Sequence, residues 1–216
     1  MVDIFGEAAW TRQLDAGANE LGVDLDESQL DLLWRYARML RERNEHVNLT
    51  SIVSPEGILT LHMLDSLSIA NDLGAARRLI DVGTGGGFPG IPLAVACPER
   101  QFVLIDGTQK KIRFVAESIA ELDIRNASAV AARAESFTGA KDFDVVIARA
   151  VGPLAELVRD CGKLLSAGGR ILAMKGKLPE DELRAVPRGW KADVKALAVP
   201  GLDAERHLIT LSRRSS

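Results

Sequence analysis

From Arg78 onward, short apolar runs alternate with helix-patterned segments, and this alternation limits the possible folds more than any other feature of the chain. The runs are RLIDV (78–82), QFVLID (101–106), NASAVAA (126–132), FDVVIARA (143–150) and GRILAMKG (169–176). Between them, Ile112, Val115, Ile119 and Leu122 recur on one helical face, and Leu154, Leu157, Val158, Cys161, Leu164 and Leu165 on another. Pro153 stands at the first turn of the second pattern, with Gly168 and Gly169 after its stop. Parallel neighbours need crossovers, so strands separated by helices imply a mostly parallel, doubly wound α/β sheet with helices on both faces. The end of the chain breaks this rhythm. KADVKALAVP and RHLITLSRR are joined only by GLDAE, too short for a crossover, which predicts an antiparallel C-terminal hairpin and seven strands in all.

Before Arg78 the pattern is helical. Leu30, Leu33, Trp34, Ala37 and Leu40 form a stripe, and Asp26 with Gln29 has the spacing of a capping box. Ser54 and Pro55 are the N-cap and first residue of a further helix running towards Asn71. A chain of 216 residues suits one α/β core with an appendage, placed here at residues 1–73 and 74–216. No apolar run has the length of a membrane span, and the N-terminus lacks the charge and apolar centre of a secretory signal, so a cytoplasmic protein without a membrane partner is expected. Cys97 and Cys161 sit among apolar neighbours and are expected to be buried thiols; no metal site is expected. The net charge of −3 excludes a global positive field, although local basic clusters occur at Arg35, Arg38, Arg41 and Arg43, and elsewhere.

The stretch IDVGTGGGFPGIP (80–92) follows the first apolar run, where bare backbone can approach a ligand. A phosphate-cradling loop of the Walker type needs Lys followed by Ser or Thr, and no lysine follows any of these glycines. A dinucleotide loop fits formally at Gly85–Gly90, with Asp106 some twenty residues on. A third class, the S-adenosylmethionine loop, has an acidic strand residue before G-x-G-x-G, as in Asp81, Gly83, Gly85 and Gly87. Pro89 and Pro92 remove amide donors where a pyrophosphate would sit, a loss that a cofactor without phosphates tolerates. With the hairpin order, this favours S-adenosylmethionine. Asp81 and Asp106 both end strands, where a doubly wound sheet places its crevice.

The ordered set LIDVGTGGGFPGIPLA, LID, ARAESF, FDVVIARAV and GGRILAMKG, with RERNEHVNLTSI and HMLDSLSIA upstream, resembles the ribosomal RNA small-subunit methyltransferase G family, also known as glucose-inhibited division protein B. The resemblance covers nearly the whole chain. It implies a Rossmann-like class I S-adenosylmethionine methyltransferase fold, with an N-terminal helical extension. It further implies methyl transfer to N(7) of one guanine (guanine-527 in the family) of 16S ribosomal RNA. The family's cofactor contacts fall on Gly83, Phe88, Ala134, Glu135 and Arg149, and Asp106 takes the ribose hydroxyls as in methyltransferases generally. Two departures are Gly86, where many relatives have proline, and Gly107–Thr108, where a serine often follows the acid.

The residues agree with such a reaction. An exocyclic amine needs an Asn/Asp-Pro-Pro-aromatic clamp after the fourth strand, and Ala148, Arg149, Ala150 and Val151 stand there instead. Carbon methylation needs a cysteine nucleophile, for which neither cysteine is well placed. Guanine N(7) carries no proton, so positioning suffices. Candidates for catalysis are Arg149, expected to pair with a carboxylate or support the base, and His62 and Asp65, three residues apart on a helix face. A strand-end salt bridge for Arg149, and capping or packing for His62 and Asp65, remain open. Lys175 is a candidate for RNA phosphate, and Phe88 for base stacking. The expected partner is 16S ribosomal RNA within a small-subunit particle, met by a monomer. A small-molecule methyltransferase and a non-enzymatic RNA or ribosome-assembly factor are the alternatives.

Overall fold

The computed structural model describes residues 6–214. Seven strands form one sheet: β1 (Arg78–Val82), β2 (Gln101–Asp106), β3 (Ala127–Ala131), β4 (Phe143–Arg149), β5 (Leu165–Lys175), β6 (Trp190–Ala196) and β7 (His207–Arg213). Their order is β3-β2-β1-β4-β5-β7-β6, parallel from β3 to β5. The terminal hairpin is antiparallel as expected, and β7 inserts between β5 and β6, antiparallel to both. The chain moves outward from β1 through β2 to β3, then returns to β4 on β1's other side. That reversal is a topological switch point, where helix-capped loops diverge and leave a crevice.

Alternate residues of the central strands serve two cores. Leu79, Leu104, Val145, Ile147 and Leu172 join one buried cluster, while Ile80, Val82, Val146, Ala148 and Ile171 join the other. Both faces are covered, which explains why these strands are almost continuously apolar. The helices that cover them are α5 (Gly90–Ala96), α6 (Gln109–Glu121), α7 (Leu154–Cys161) and α8 (Glu180–Arg184), preceded in the chain by α1 (Glu7–Glu20), α2 (Glu27–Val47), α3 (Pro55–Gly57) and α4 (Asp65–Leu67). Gly168 and Gly169 follow the end of α7 but lie inside β5, which starts at Leu165 and pairs there with Phe143 across a register shift, so they do not cap the helix.

The N-terminal helices share the first cluster with the sheet: Trp10, Leu33, Leu40 and Leu64 are buried with Leu79, Leu104 and Val145. The capping box starts α2 with both arms made, Gln29 N donating to Asp26 Oδ1 at 2.8 Å and Asp26 N donating to Gln29 Oε1 at 2.9 Å. Ser54 Oγ accepts from Gly57 N at 3.0 Å, as its position before Pro55 predicts. The helix that follows does not stay regular. Ile58–Leu64 widens into a π-helix, a form concentrated at functional sites, before α4 restores the ordinary turn. Among the described residues no helix is long and apolar enough to cross a membrane.

Candidate active site

Strand β1 runs into a loop whose glycines take backbone angles that side chains resist, with φ of +70° at Gly83 and +90° at Gly87. Gly83 N and Thr84 N donate to Ile105 O at 2.9 and 3.0 Å, which pins the loop to the end of β2. Asp81 holds it from beneath. Its fully buried Oδ2 accepts from Thr84 Oγ1 at 2.6 Å and from Gly90 N at 2.8 Å, while Oδ1 has no partner. Burial pushes this carboxyl up to about 6, against the Thr84 and Gly90 hydrogen bonds and the Arg149 charge, which lower it. The first amide of α5 is therefore spent on Asp81, and a pyrophosphate would find it taken.

A third anchor comes from the N-terminal helices. The buried Tyr36 hydroxyl on α2 donates to Gly86 O, and a Cβ at Gly87 would collide with that hydroxyl. Burial, reinforced by Asp81, raises the phenol well above its ordinary value, so it stays protonated and keeps donating. Tyr36 lies beside the apolar stripe of α2, and nothing local in the sequence marks it as a support for a loop fifty residues away.

Two cavities open at the carboxyl ends of the strands and meet at Gly83. The smaller, about 190 Å³, is lined by Asp106, Gly107, Ala134, Glu135 and Val151 among others. Asp106 serves both neighbours there, its Oδ2 accepting from Gly85 N at 2.9 Å and its Oδ1 from Thr108 N at 2.7 Å. The larger, about 590 Å³, is lined by Gly85, Phe88, His62, Asp65, Arg149 and Arg206 among others. The sequence candidates Gly83, Gly85, Phe88, Asp106, Ala134, Glu135 and Arg149 thus line one crevice. Asp81 and Gly87 line neither cavity and act from behind, as supports of the loop.

The larger cavity is walled by a charged network. Arg149, at the end of β4, donates to Leu61 O at 2.8 Å and Asp65 Oδ2 at 3.1 Å, and its second nitrogen lies 3.3 Å from His62 Nδ1. Arg206, from the turn between β6 and β7, donates through Nε to Asp65 Oδ1 at 2.8 Å. One buried carboxylate is therefore shared by two guanidinium groups. The π-helix presents His62 and the Leu61 carbonyl, and Asp65 follows at the start of α4. His62 Nε2 lies 2.9 Å from Thr50 Oγ1, and its ring stacks on Phe88 with centroids 4.2 Å apart and planes 9° from parallel. Burial, then the Arg149 charge, lowers His62 to about 3. The imidazole is neutral at pH 7, with Nδ1 accepting from Arg149 and Nε2 carrying the proton towards Thr50.

These contacts correct two expectations and add one residue. Phe88 is buried with one face covered by His62, so it forms the wall of the cleft and offers no open stacking platform. Lys175 spends its ammonium on Gly152 O at 2.7 Å and Glu182 Oε2 at 2.9 Å. Arg206 carried no local signal at all; only the packing of the terminal hairpin brings it to the cleft. Cys97 and Cys161 are buried, and burial pushes the Cys161 thiol up to about 12.

Residues 29–209 match the family model described as rRNA small subunit methyltransferase G. The chain is 50% identical over 198 residues to the Ribosomal RNA small subunit methyltransferase G of Methylococcus capsulatus, covering 92% of this chain and 96% of that protein. The chain belongs to this methyltransferase family. The namesake from Nitrosococcus oceani is 44% identical over 203 residues, covering 93% and 94%. Among solved structures, an S-adenosylmethionine-dependent methyltransferase from Aquifex aeolicus has a TM-score of 0.57 at 13% identity, covering 76% of this chain and 96% of that one. Precorrin-6y C5,15-methyltransferase from Geobacter metallireducens has a TM-score of 0.54 at 16% identity, covering 69% and 87%. At such identities the likeness establishes the fold, a Rossmann-like methyltransferase fold. In this family member the divided crevice lies at the switch point between β1 and β4, where that fold binds its ligands.

Proposed function

We propose that the chain transfers a methyl group from S-adenosylmethionine to N(7) of a guanine, guanine-527 in the family, in 16S ribosomal RNA of a small-subunit particle. The cofactor fits the crevice: positive φ at Gly83 and Gly85 clears side chains from the floor where the cavities meet, and Asp106 faces the smaller cavity with lone pairs beyond those given to Gly85 and Thr108. Asp106, Ala134 and Glu135 would hold its adenosine side, with Gly83, Phe88 and Arg149 towards the larger cavity. When bound, S-adenosylmethionine supplies a methyl group on a sulfonium sulfur.

The observation that carries the reading is the absence of an available base among the described residues lining the larger cavity. His62 is held to about 3 with both ring nitrogens engaged. Asp65 is shared by two arginines, and Asp81 is sealed behind the loop. A nucleophile that arrives with a free in-plane lone pair and no proton to lose suits such a wall, and guanine N(7) is one. Arg149, His62 and Asp65 act as a positioning frame: the guanidinium ties the end of β4 to the π-helix and fixes the imidazole in one tautomer. The cytoplasm, where such particles are made, is the location this reading requires.

Labelled S-adenosylmethionine incubated with small-subunit particles from a strain lacking the gene tests it. Label is expected in 7-methylguanosine. Label in a metabolite instead would support a small-molecule methyltransferase, and no calorimetric binding of S-adenosylmethionine would support a non-enzymatic assembly factor.

A further inference from the structure

A third cavity, about 440 Å³, lies between α2 and the Thr50–Val53 segment, and Thr50 and Ile52 wall both it and the larger half of the crevice. The partition is preformed. Asn44 Oδ1 accepts from Leu49 N and Thr50 N at 2.6 and 2.9 Å, Asn44 Nδ2 donates to Thr50 O at 2.9 Å, and Thr50 Oγ1 accepts from Ile52 N at 3.0 Å while contacting His62. The two cavities therefore lie on either side of one hydrogen-bonded wall, formed by Thr50 and Ile52.

Its lining combines two features. Ile52 and Val53 give an apolar surface backed by the buried Leu40 and Ile58, and Val53, 61% exposed, is the most exposed large hydrophobic among the described residues. Arg38 and Arg41 face the same space. Arg41 makes no ion pair or hydrogen bond among the described residues, and Arg38 has only a long exposed contact of 3.7 Å to Glu42. Free guanidinium groups beside an aliphatic surface suit a nucleotide, the cations for its phosphate and the aliphatic carbons for its ring. Glu42 and Glu45 also line the cavity, so the lining carries no net charge and the attraction for phosphate is local to the two guanidinium groups.

We propose that this cavity is the subsite for the nucleotide adjoining the target guanine, with Arg38 and Arg41 holding its flanking phosphates. The assignment rests on the RNA reading above. The charges of the lining predict opposite signs for substitutions of opposite type: removing the arginines weakens RNA binding, and removing Glu45 strengthens it.

The test measures KM for small-subunit particles from a strain lacking the gene, over a salt series, for the wild type, Arg38→Ala/Arg41→Ala and Glu45→Gln, with calorimetric S-adenosylmethionine affinity as the control of folding. Two lost phosphate contacts should raise KM about tenfold near 0.1 M salt and flatten the salt slope by about 1.4. Glu45→Gln should lower KM a few-fold, and cofactor affinity should be unchanged in both. A wild type that gives no 7-methylguanosine breaks the RNA reading itself. A wild type that methylates while the double variant keeps its KM and salt slope overturns the subsite alone. A KM effect on particles without any loss of binding to protein-free 16S ribosomal RNA, read by fluorescence anisotropy, also overturns it, because the surface then contacts a ribosomal protein.

Discussion

The smaller half of the crevice is framed by residues at or just beyond the ends of β1, β2, β3 and β4 and by the neighbouring α7, whereas the larger half is assembled across the whole chain. Asp106 reaches Gly85 over 21 positions, but Arg206 reaches Asp65 over 141 and Arg149 reaches it over 84. The smaller cavity follows from strand order, which any chain with this topology shares. The larger depends on the π-helix and the terminal hairpin, and under the function proposed above it is the half that would receive the target base. The difference predicts two kinds of variant, those that lose cofactor and those that keep it but lose the frame around the base.

The point where the halves meet gives the largest expected effect. A Cβ at Gly83 would lie 2.6 Å from Val151 Cγ2, at a φ of +70°. Gly83→Val should raise the calorimetric Kd for S-adenosylmethionine about a hundredfold or more, through strain and blocked space together. Retention of wild-type affinity would show that the two cavities do not share one ligand.

Arg149→Ala probes the larger half. It leaves the buried Asp65 with Arg206 alone and removes the donor to Leu61 O and His62 Nδ1, so denaturant unfolding should show a loss of about 3 kcal/mol. Arg149→Lys should recover less than half of this, because one ammonium cannot serve three acceptors with a fixed planar fork. A full recovery would reduce the network to a simple charge pair.

His62 sharpens the comparison through pH. Its folded-state value of about 3 lies below the ordinary 6.5, so the unfolded chain binds the extra proton first as pH falls. The neutral ring then costs stability increasingly below pH 6.5. Asp81 works the other way: raised to about 6, it contributes stability below its ordinary value of 3.8, lost as pH rises through 6. Between pH 7 and 5, His62→Gln should thus gain stability relative to wild type by on the order of 2 kcal/mol, measured by urea unfolding at both pH values. A pH-independent difference would mean that the imidazole is not held neutral.

Arg206→Gln gives the smallest effect. Its guanidinium is partly exposed, so unfolding should change by only about 1 kcal/mol, with the calorimetric cofactor Kd unchanged and any kinetic effect confined to RNA. Weakened cofactor binding in this variant would erase the division between the halves.

Legibility follows the same division. The glycine loop and Asp106 were readable because each sits at a strand end fixed by local alternation, whereas Ala134 and Glu135 came only from the family resemblance. Asp81 was readable as an acid in the right place, yet its job is to hold Thr84 and Gly90 from beneath, which only the approach of α5 reveals. His62 and Asp65 were visible as a pair three residues apart. Their widening into a π-helix was not, since an apolar stripe at ordinary helical spacing looks the same until tertiary contacts select the wider turn. Tyr36 and Arg206 gave no signal, because one buried tyrosine and one turn arginine have no periodicity to betray a distant partner.

The amino-acid sequence by itself determined the strand-and-helix order, the antiparallel end and the bare loop after the first strand, because hydrophobic period and glycine placement act over a few residues. Only the tertiary structure decided that a helix from the N-terminal segment supports that loop, that β7 enters the sheet before β6, and that His62, Asp65, Arg149 and Arg206 form one frame. Those pairings join side chains far apart in the chain, and their geometry exists only once the two buried cores have closed around them.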